Sequence, residues 1–306
     1  MNTNPSQVNI ELSPFNLNNR DGYLAWRDRK LSEYPTRLED LVVEIDDPRK
    51  LTESQFQALH SRCKRSNMAI YVGTTGQDPD PEIPLTISRR FGVCGLNHNW
   101  LADDTGLTSL RMVNDGTRQL YIPYTNRAIK WHTDGYYNTP DRQIHSLMLH
   151  CVQSAASGGE NALMDHEVAY ILLRDKNPDF IRAFMQPAAM TIPPRMDENG
   201  EVARKAETGP VFTITPSGDL HMRYSMRTRN VIWADDPLTG DARAYLQGLL
   251  ESRLPYIYRG RLAPGMGLIG NNILHDRSAF DDDEKHERHL YRARYFERLA
   301  GTGVFD

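Results

Sequence analysis

Trp131-His132-Thr133-Asp134 is the stretch on which the fold turns. In an extended segment, residues 132 and 134 point to the same face of the strand. The pair then offers a metal one neutral nitrogen and one anionic oxygen. A second His from elsewhere completes the 2-His-1-carboxylate facial triad, which binds Fe(II) and leaves coordination positions open. The candidate is His275, in Asn271-Asn272-Ile273-Leu274-His275-Asp276-Arg277. It lies about 140 residues beyond His132, too far for a local zinc-finger-like site. These ligands meet only if the strands that bear them are neighbours in a folded barrel.

The surrounding pattern supplies such strands. Leu110-Arg111-Met112-Val113, Gln119-Leu120-Tyr121-Ile122, Ser146 to Val152 and Asn161 to Met164 read as strands. So do Tyr256-Ile257-Tyr258, Gly267-Leu268-Ile269 and the alternating run His289 to Phe296. Segments 210–215 and 220–224 flank Pro216-Ser217-Gly218-Asp219, a hairpin signal. Helices are expected between them. Thr52 caps one, with Gln55 completing a capping box and Asn67 ending it, followed by the buried strand Met68 to Val72. Others span Pro84 to Phe91, Glu167 to Phe184 and Thr239 to Arg253. The fold class is mainly β with helical insertions, a jelly roll decorated with helices. Residues 1–306 show no internal repeat and no linker, so a single domain is expected, with residues 1–20 as a polar arm.

Composition narrows the function. The net charge of −4 and scattered Lys and Arg give no reason to expect nucleic acid or an anionic membrane as partner. No apolar run approaches a membrane span. The three cysteines, Cys63, Cys94 and Cys151, are too few and too far apart for a disulfide framework. With a polar N-terminus unlike a secretory signal, they point to the cytoplasm. A small-molecule substrate is the expected partner; a homo-oligomer stays open.

Arg288 and Arg292 follow His275. A hairpin returning from His275 brings them back beside the metal. The planar fork of an Arg matches a carboxylate with two parallel hydrogen bonds. The cosubstrate this suggests is 2-oxoglutarate, its keto-acid end on iron and its distal carboxylate on the Arg.

His-x-Asp alone is a common accident. The ordered set is specific: Arg90-Phe91-Gly92, Trp131-His132-Thr133-Asp134, Gly158-Gly159-Glu160-Asn161, Leu262-Ala263-Pro264-Gly265, Asn272 to Phe280, and Arg288-His289-Leu290-Tyr291-Arg292. In these motifs, over about residues 85 to 296, the chain resembles the TauD/TfdA family, the taurine-dioxygenase-like Fe(II)/2-oxoglutarate-dependent dioxygenases. The resemblance implies a double-stranded β-helix of the clavaminate synthase-like kind. It implies His132, Asp134 and His275 as iron ligands and Arg288 as the clamp on the distal carboxylate of 2-oxoglutarate. Arg292 would face the cosubstrate or an anionic substrate group. After the Gly-Gly pair, taurine dioxygenase has a Thr that bonds the distal carboxylate. This chain has Asn161, whose amide can donate the same bond.

His132 to Tyr137 and Leu149-His150-Cys151 resemble the γ-butyrobetaine and trimethyllysine hydroxylase branch. The zinc-binding N-terminal domain of some of those enzymes is not seen in this sequence, so their substrates are not carried over. The implied reaction couples oxidation of a C–H in a small polar metabolite to release of succinate and CO2. Hydroxylation is the expected outcome; desaturation, epoxidation or cyclisation in a biosynthetic pathway use the same cofactor chemistry. Halogenating relatives have a small residue where this chain has Asp134, which argues against halogenation. A non-catalytic jelly-roll binding module is the reading from another class.

Candidate substrate contacts are Tyr136 and Tyr137, of which strand alternation makes one a core residue. Asn97 and His98 match the region where taurine dioxygenase contacts substrate, and Arg292 is shared with the cosubstrate set. Arg294 shares the alternation of Arg292, with a structural ion pair expected. His145 and His150 read as packed histidines, and Asp281 to Glu284 as a solvated turn.

Overall fold

The computed structural model describes residues 9–97, 106–113, 121–197, 199–227 and 231–306. Two sheets carry the architecture. The larger has six strands in the order Val42–Glu44, Met68–Val72, Met266–Gly270, Ser146–Gln153, His289–Tyr295 and Thr108–Leu110. The smaller has four, in the order Tyr258–Gly260, Asn161–Met164, Leu274–Arg277 and Ile129–His132. All pairings are antiparallel except the first of the larger sheet. Leu147, Leu149 and Leu268 of the larger sheet share one buried cluster with Trp131, Leu163 and Leu274 of the smaller. The sheets therefore face each other across a common core, as in a double-stranded β-helix.

The central strand Ser146–Gln153 is buried along nearly its whole length, which its continuous apolar run dictates. The first two strands of the larger sheet lie N-terminal to the motif-bearing region, so the core begins well before residue 85. The helix Glu53–Ser66 has the expected capping box, Thr52 Oγ1 accepting from the Gln55 N–H, and closes on Asn67 in the left-handed conformation. The hairpin Phe212–Ile214 with Leu220–Met222 forms across its Pro-Ser-Gly-Asp turn.

Four expectations are corrected. The polar arm is tied down in its second half: Phe15 is fully buried, edge-on to Trp26 and Tyr170, and Ser13 Oγ donates to the Gly218 carbonyl. A single aromatic is enough to anchor a polar segment. The helix expected over 167–184 is two helices, His166–Lys176 and Pro178–Phe184, because Pro178 cannot continue the first and instead starts the second. Ile122–Tyr124 is a 3-10 turn rather than strand, with Pro123 inside it; residues 119 and 120 lie outside the described set. The strand expected over 110–113 is Thr108–Leu110, one end of the larger sheet. Among the described residues, no helix is long and apolar enough to cross a membrane.

Candidate active site

Cross-strand register brings the two histidines together. His275 is the direct partner of His132 in the antiparallel pair of Leu274–Arg277 with Ile129–His132. Their rings lie 4.3 Å apart, and one ligand atom each from His132, Asp134 and His275 falls within 4.8 Å of the others. Residues 131–133 are held on the other side by segment 224–226: the Thr133 and Met226 N–H groups donate to the Tyr224 and Trp131 carbonyls.

Each ligand is oriented by a second contact. The Nδ1–H of His132 donates to the Lys130 carbonyl at 2.9 Å, and that of His275 to the Ile273 carbonyl at 3.0 Å. Both Nε2 atoms are thereby left as lone-pair donors. Burial pushes the His275 imidazole down to about 4, with His132 adding to the shift, so it is neutral at pH 7. Burial pushes the Asp134 carboxyl up, but Arg292, His132 and Arg294 outweigh it and hold it well below the usual carboxylate range. Asp134 Oδ2 is buried and accepts no hydrogen bond among the described residues. Two imidazole nitrogens and one ionised, under-coordinated carboxylate fit Fe(II).

Asn272 fixes the backbone of the third ligand. Its Oδ1 accepts from the Asp134 N–H at 2.8 Å, and its Nδ2 donates to the Asp134 and Ile144 carbonyls at 2.9 and 2.7 Å. It does so from a left-handed conformation, φ 49°, which Asn tolerates better than most residues. After Asp134 the chain turns at Gly135, φ 68°, where a Cβ would strike Ile144. The turn overrides strand alternation. Tyr136 and Tyr137 consequently both line the same cavity, Tyr136 as the expected core residue of the pair and Tyr137 packed against that core.

That cavity measures about 640 Å³ and has His132 and Asp134 on its wall. Arg292 and Arg294 enter it from the larger sheet. Arg292 Nη1 lies 3.4 Å from Asp134 Oδ2. Among the described residues Arg294 makes no ion pair of the kind expected. It donates to the Tyr137 hydroxyl at 3.0 Å and to Asn97 Oδ1 at 2.9 Å, and its charge holds the Tyr137 phenol below its usual value. Asn97 is thus near the site through Arg294; His98 lies outside the described residues.

Arg288 is 5% exposed and packs over the Phe280 ring. Burial lowers its guanidinium to about 10, and among the described residues no carboxylate pairs with it. It shares a small cavity with Gly158, Gly159, Asn161 and Arg261. A buried cation without a partner is costly, and an incoming carboxylate removes the cost. Asn161 already donates through Nδ2 to the Asp276 carbonyl at 2.7 Å, leaving its second N–H for a ligand. His150 is a packed histidine, bonded through Nδ1 to the Tyr71 hydroxyl. In the acidic run, Asp282 accepts from the Arg288 N–H at 3.0 Å and so helps to place that residue.

The sequence pattern did not single out Asn272, Arg195, Arg204 or Arg227. The last three line the same cavity as the triad. Their only local signals are the Pro193-Pro194-Arg195 corner and the Asp197 to Gly200 turn of a hairpin.

Facing antiparallel sheets with a His-x-Asp…His cluster at one end define a non-haem iron oxygenase of the jelly-roll class. Residues 28–294 match the family described as Taurine catabolism dioxygenase TauD, TfdA family, and the chain belongs to that family. It is 33% identical over 183 residues to a uridine-5′-phosphate dioxygenase from Amycolatopsis sp; the match covers 55% of this chain and 60% of that one. The fold is shared with the non-haem iron oxygenase OrfP, solved with Fe and alpha-ketoglutaric acid, at TM-score 0.58 and 17% identity over 89% of this chain and 90% of that one. It is shared also with an asparagine oxygenase solved with Fe(II), 3-hydroxyasparagine and succinate, at TM-score 0.55 and 12% identity over 86% and 98%.

Proposed function

We propose that the protein hydroxylates a C–H of a small anionic metabolite seated in the cavity beside His132 and Asp134. The observation that carries this reading is the meeting of His132, Asp134 and His275, the first two of which line a cavity large enough for a metabolite. His132 and His275 would hold iron through Nε2 and Asp134 through its carboxylate. Arg288 takes the distal carboxylate of 2-oxoglutarate, with Asn161 beside it. Fe(II) bound there would, with 2-oxoglutarate and O2, supply the oxidising power, with succinate and CO2 as coproducts. The protein's own residues orient and enclose: Arg292 and Arg294 present positive charge to the ligand, Tyr136 and Tyr137 shape the wall around it, and Asn97 holds Arg294 in place. The relative from Amycolatopsis is named for uridine 5′-phosphate, so a nucleoside phosphate is the first substrate to test. The cysteine usage fits a reducing compartment such as the cytoplasm.

The test is succinate formation from 2-oxoglutarate by purified protein with Fe(II), O2 and uridine 5′-monophosphate, read beside His132→Ala. The wild type forms succinate and the variant does not; equal formation by both overturns the assignment. Product mass separates hydroxylation, a gain of one oxygen, from desaturation or cyclisation, a loss of two hydrogens.

A further inference from the structure

Arg288 shares its cavity with a second guanidinium. Besides Gly158, Gly159 and Asn161, that space is lined by Arg261, the residue before Leu262-Ala263-Pro264-Gly265. Asn161, Arg261 and Leu262 also line an adjoining cavity, whose other walls are apolar side chains such as Ile70, Leu163 and Leu268. Arg261 thus stands where a polar space meets an apolar one.

Strand register puts it there. Tyr258–Gly260 pairs antiparallel with Asn161–Met164, and Gly260 is the direct partner of Asn161. Arg261 therefore leaves the sheet at the end where Asn161 enters it. Two contacts stitch this segment to the loop before the Gly-Gly pair. Arg261 Nη2 donates to the Ala155 carbonyl, and Ser154 Oγ donates to the Leu262 carbonyl at 3.3 Å. The Ala155 contact engages one N–H of a fork that carries five. The two arginines differ in exposure: Arg288 is buried and Arg261 is open to solvent. Their charges meet nonetheless. Burial lowers the Arg288 guanidinium, and Arg261 adds to that shift. Burial raises the Cys151 thiol to about 11, and Ser154, Arg288 and Arg261 all oppose the rise, so both cations reach the same buried atom. Like charges held this close repel, and a carboxylate placed between them removes the repulsion.

We infer that Arg261 is a second guanidinium for the distal carboxylate of 2-oxoglutarate, meeting it from the solvent side while Arg288 meets it from within. Arg261 is then a specificity-determining residue, which adds to the preference for 2-oxo acids that end in a carboxylate. A carboxylate has two oxygens with about four acceptor directions, so one guanidinium does not saturate it. A second fork and the free N–H of Asn161 can be accommodated beside Arg288. The solvent-side position makes the contribution of Arg261 smaller than that of Arg288 and sensitive to salt, because exposed charges are screened and buried ones much less. The inference rests on the proposed role of Arg288 and extends it to a residue of another segment.

The test is anaerobic calorimetry on Fe(II)-loaded protein with two ligands. One is 2-oxoglutarate; the other is 2-oxopentanoate, the same carbon chain with a methyl group in place of the distal carboxylate. Arg261→Gln removes the charge and keeps an amide N–H for the Ala155 carbonyl. It binds 2-oxoglutarate about 5- to 20-fold more weakly, between the effect of losing an exposed ion pair and that of losing a charged hydrogen bond. It binds 2-oxopentanoate as the wild type does. Arg261→Lys, a point charge without the fork, recovers part of the loss. Added salt weakens 2-oxoglutarate binding more steeply in the wild type than in Arg261→Gln. Equal weakening of both ligands would show that Arg261 only holds the loop at Ala155, and overturns the inference. Binding of 2-oxoglutarate that is lost in Arg288→Gln but unchanged in Arg261→Gln overturns the inference alone and leaves the proposed function standing. Failure of the wild type to bind 2-oxoglutarate at all defeats the proposed function and this inference with it.

Discussion

Arg292 Nη1 stands 3.4 Å from Asp134 Oδ2, while Asp134 Oδ1 stands 3.5 Å from His132 Nε2, so one carboxylate is shared between a fixed cation and the metal cluster. The arginine competes with iron for an oxygen, and it also faces the ligand cavity. Its removal therefore separates the two roles. Arg292→Ala keeps or tightens Fe(II) affinity, because a competing charge is gone. It weakens the anionic ligand that the guanidinium faces by about 10- to 100-fold, the size of a lost hydrogen bond to a charged group. Anaerobic Fe(II) titration, followed by titration of 2-oxoglutarate and then of substrate, shows which ligand loses affinity. Loss of iron binding in this variant contradicts the argument.

Asn272 ties Asp134 to Ile144 through three hydrogen bonds. Asn272→Ala strips all three from buried backbone groups and puts a less tolerant residue at φ 49°. We expect a loss of about 2–4 kcal/mol of stability. We also expect Fe(II) affinity to fall about 10- to 100-fold, in line with the removal of other groups that orient metal ligands. Thermal melts with and without Fe(II) measure both; unchanged Fe(II) affinity would show that Asn272 supports the fold alone.

What could be read beforehand was local chemistry, and what could not was which face turns inward. Thr52, Gln55 and Asn67 act within one helix, so their capping roles are visible in the letters. His132, Asp134 and His275 are legible because iron needs that donor set whatever surrounds it. Pro178 carries its own signal, and the helix break there was available in the sequence. That Tyr136 and Tyr137 share a cavity wall is not legible from strand alternation, which stops where Gly135 takes its left-handed turn. Arg195 and Arg204 stayed hidden for another reason. A two-stranded hairpin sets its register through its own turn and bulge, and only the tertiary fold decides that its charged face covers a cavity.

Gly158 sits at φ 67°, where a Cβ would collide with the Ala279 carbonyl oxygen, and the neighbouring Gly159 N–H donates to that same carbonyl. The pair lets Ser157–Gly158 run against Phe280–Asp281, which brings Phe280 under Arg288. Gly158→Ala forces the two segments apart. The expected result is a Michaelis constant for 2-oxoglutarate raised at least tenfold, with Fe(II) affinity little changed because the triad lies on other strands. Steady-state kinetics against 2-oxoglutarate, beside Fe(II) titration, decide it. Equal loss of iron and 2-oxoglutarate binding would point to general unfolding instead.

His150 and His221 are buried away from the metal cluster, and burial lowers their imidazoles to about 4 and about 3 from the ordinary 6.5. Both are neutral in the fold and titrate normally in the unfolded chain. A group whose folded value is depressed contributes stability that is present above its unfolded value and lost as pH falls toward the folded one. The window here opens at about pH 6.5. At pH 5 each histidine has lost roughly 2 kcal/mol of its contribution, a sizeable share of the stability of an ordinary domain. The melting temperature should be flat between pH 7 and 8 and fall steeply below pH 6.5. His150→Leu cannot take up a proton, so it melts lower at pH 7.5, where the Tyr71 hydroxyl has lost its partner, and declines less steeply on acidification. Parallel declines for wild type and variant would locate the acid sensitivity elsewhere, the buried Lys30, Asp165 and Glu167 cluster being the next place to look.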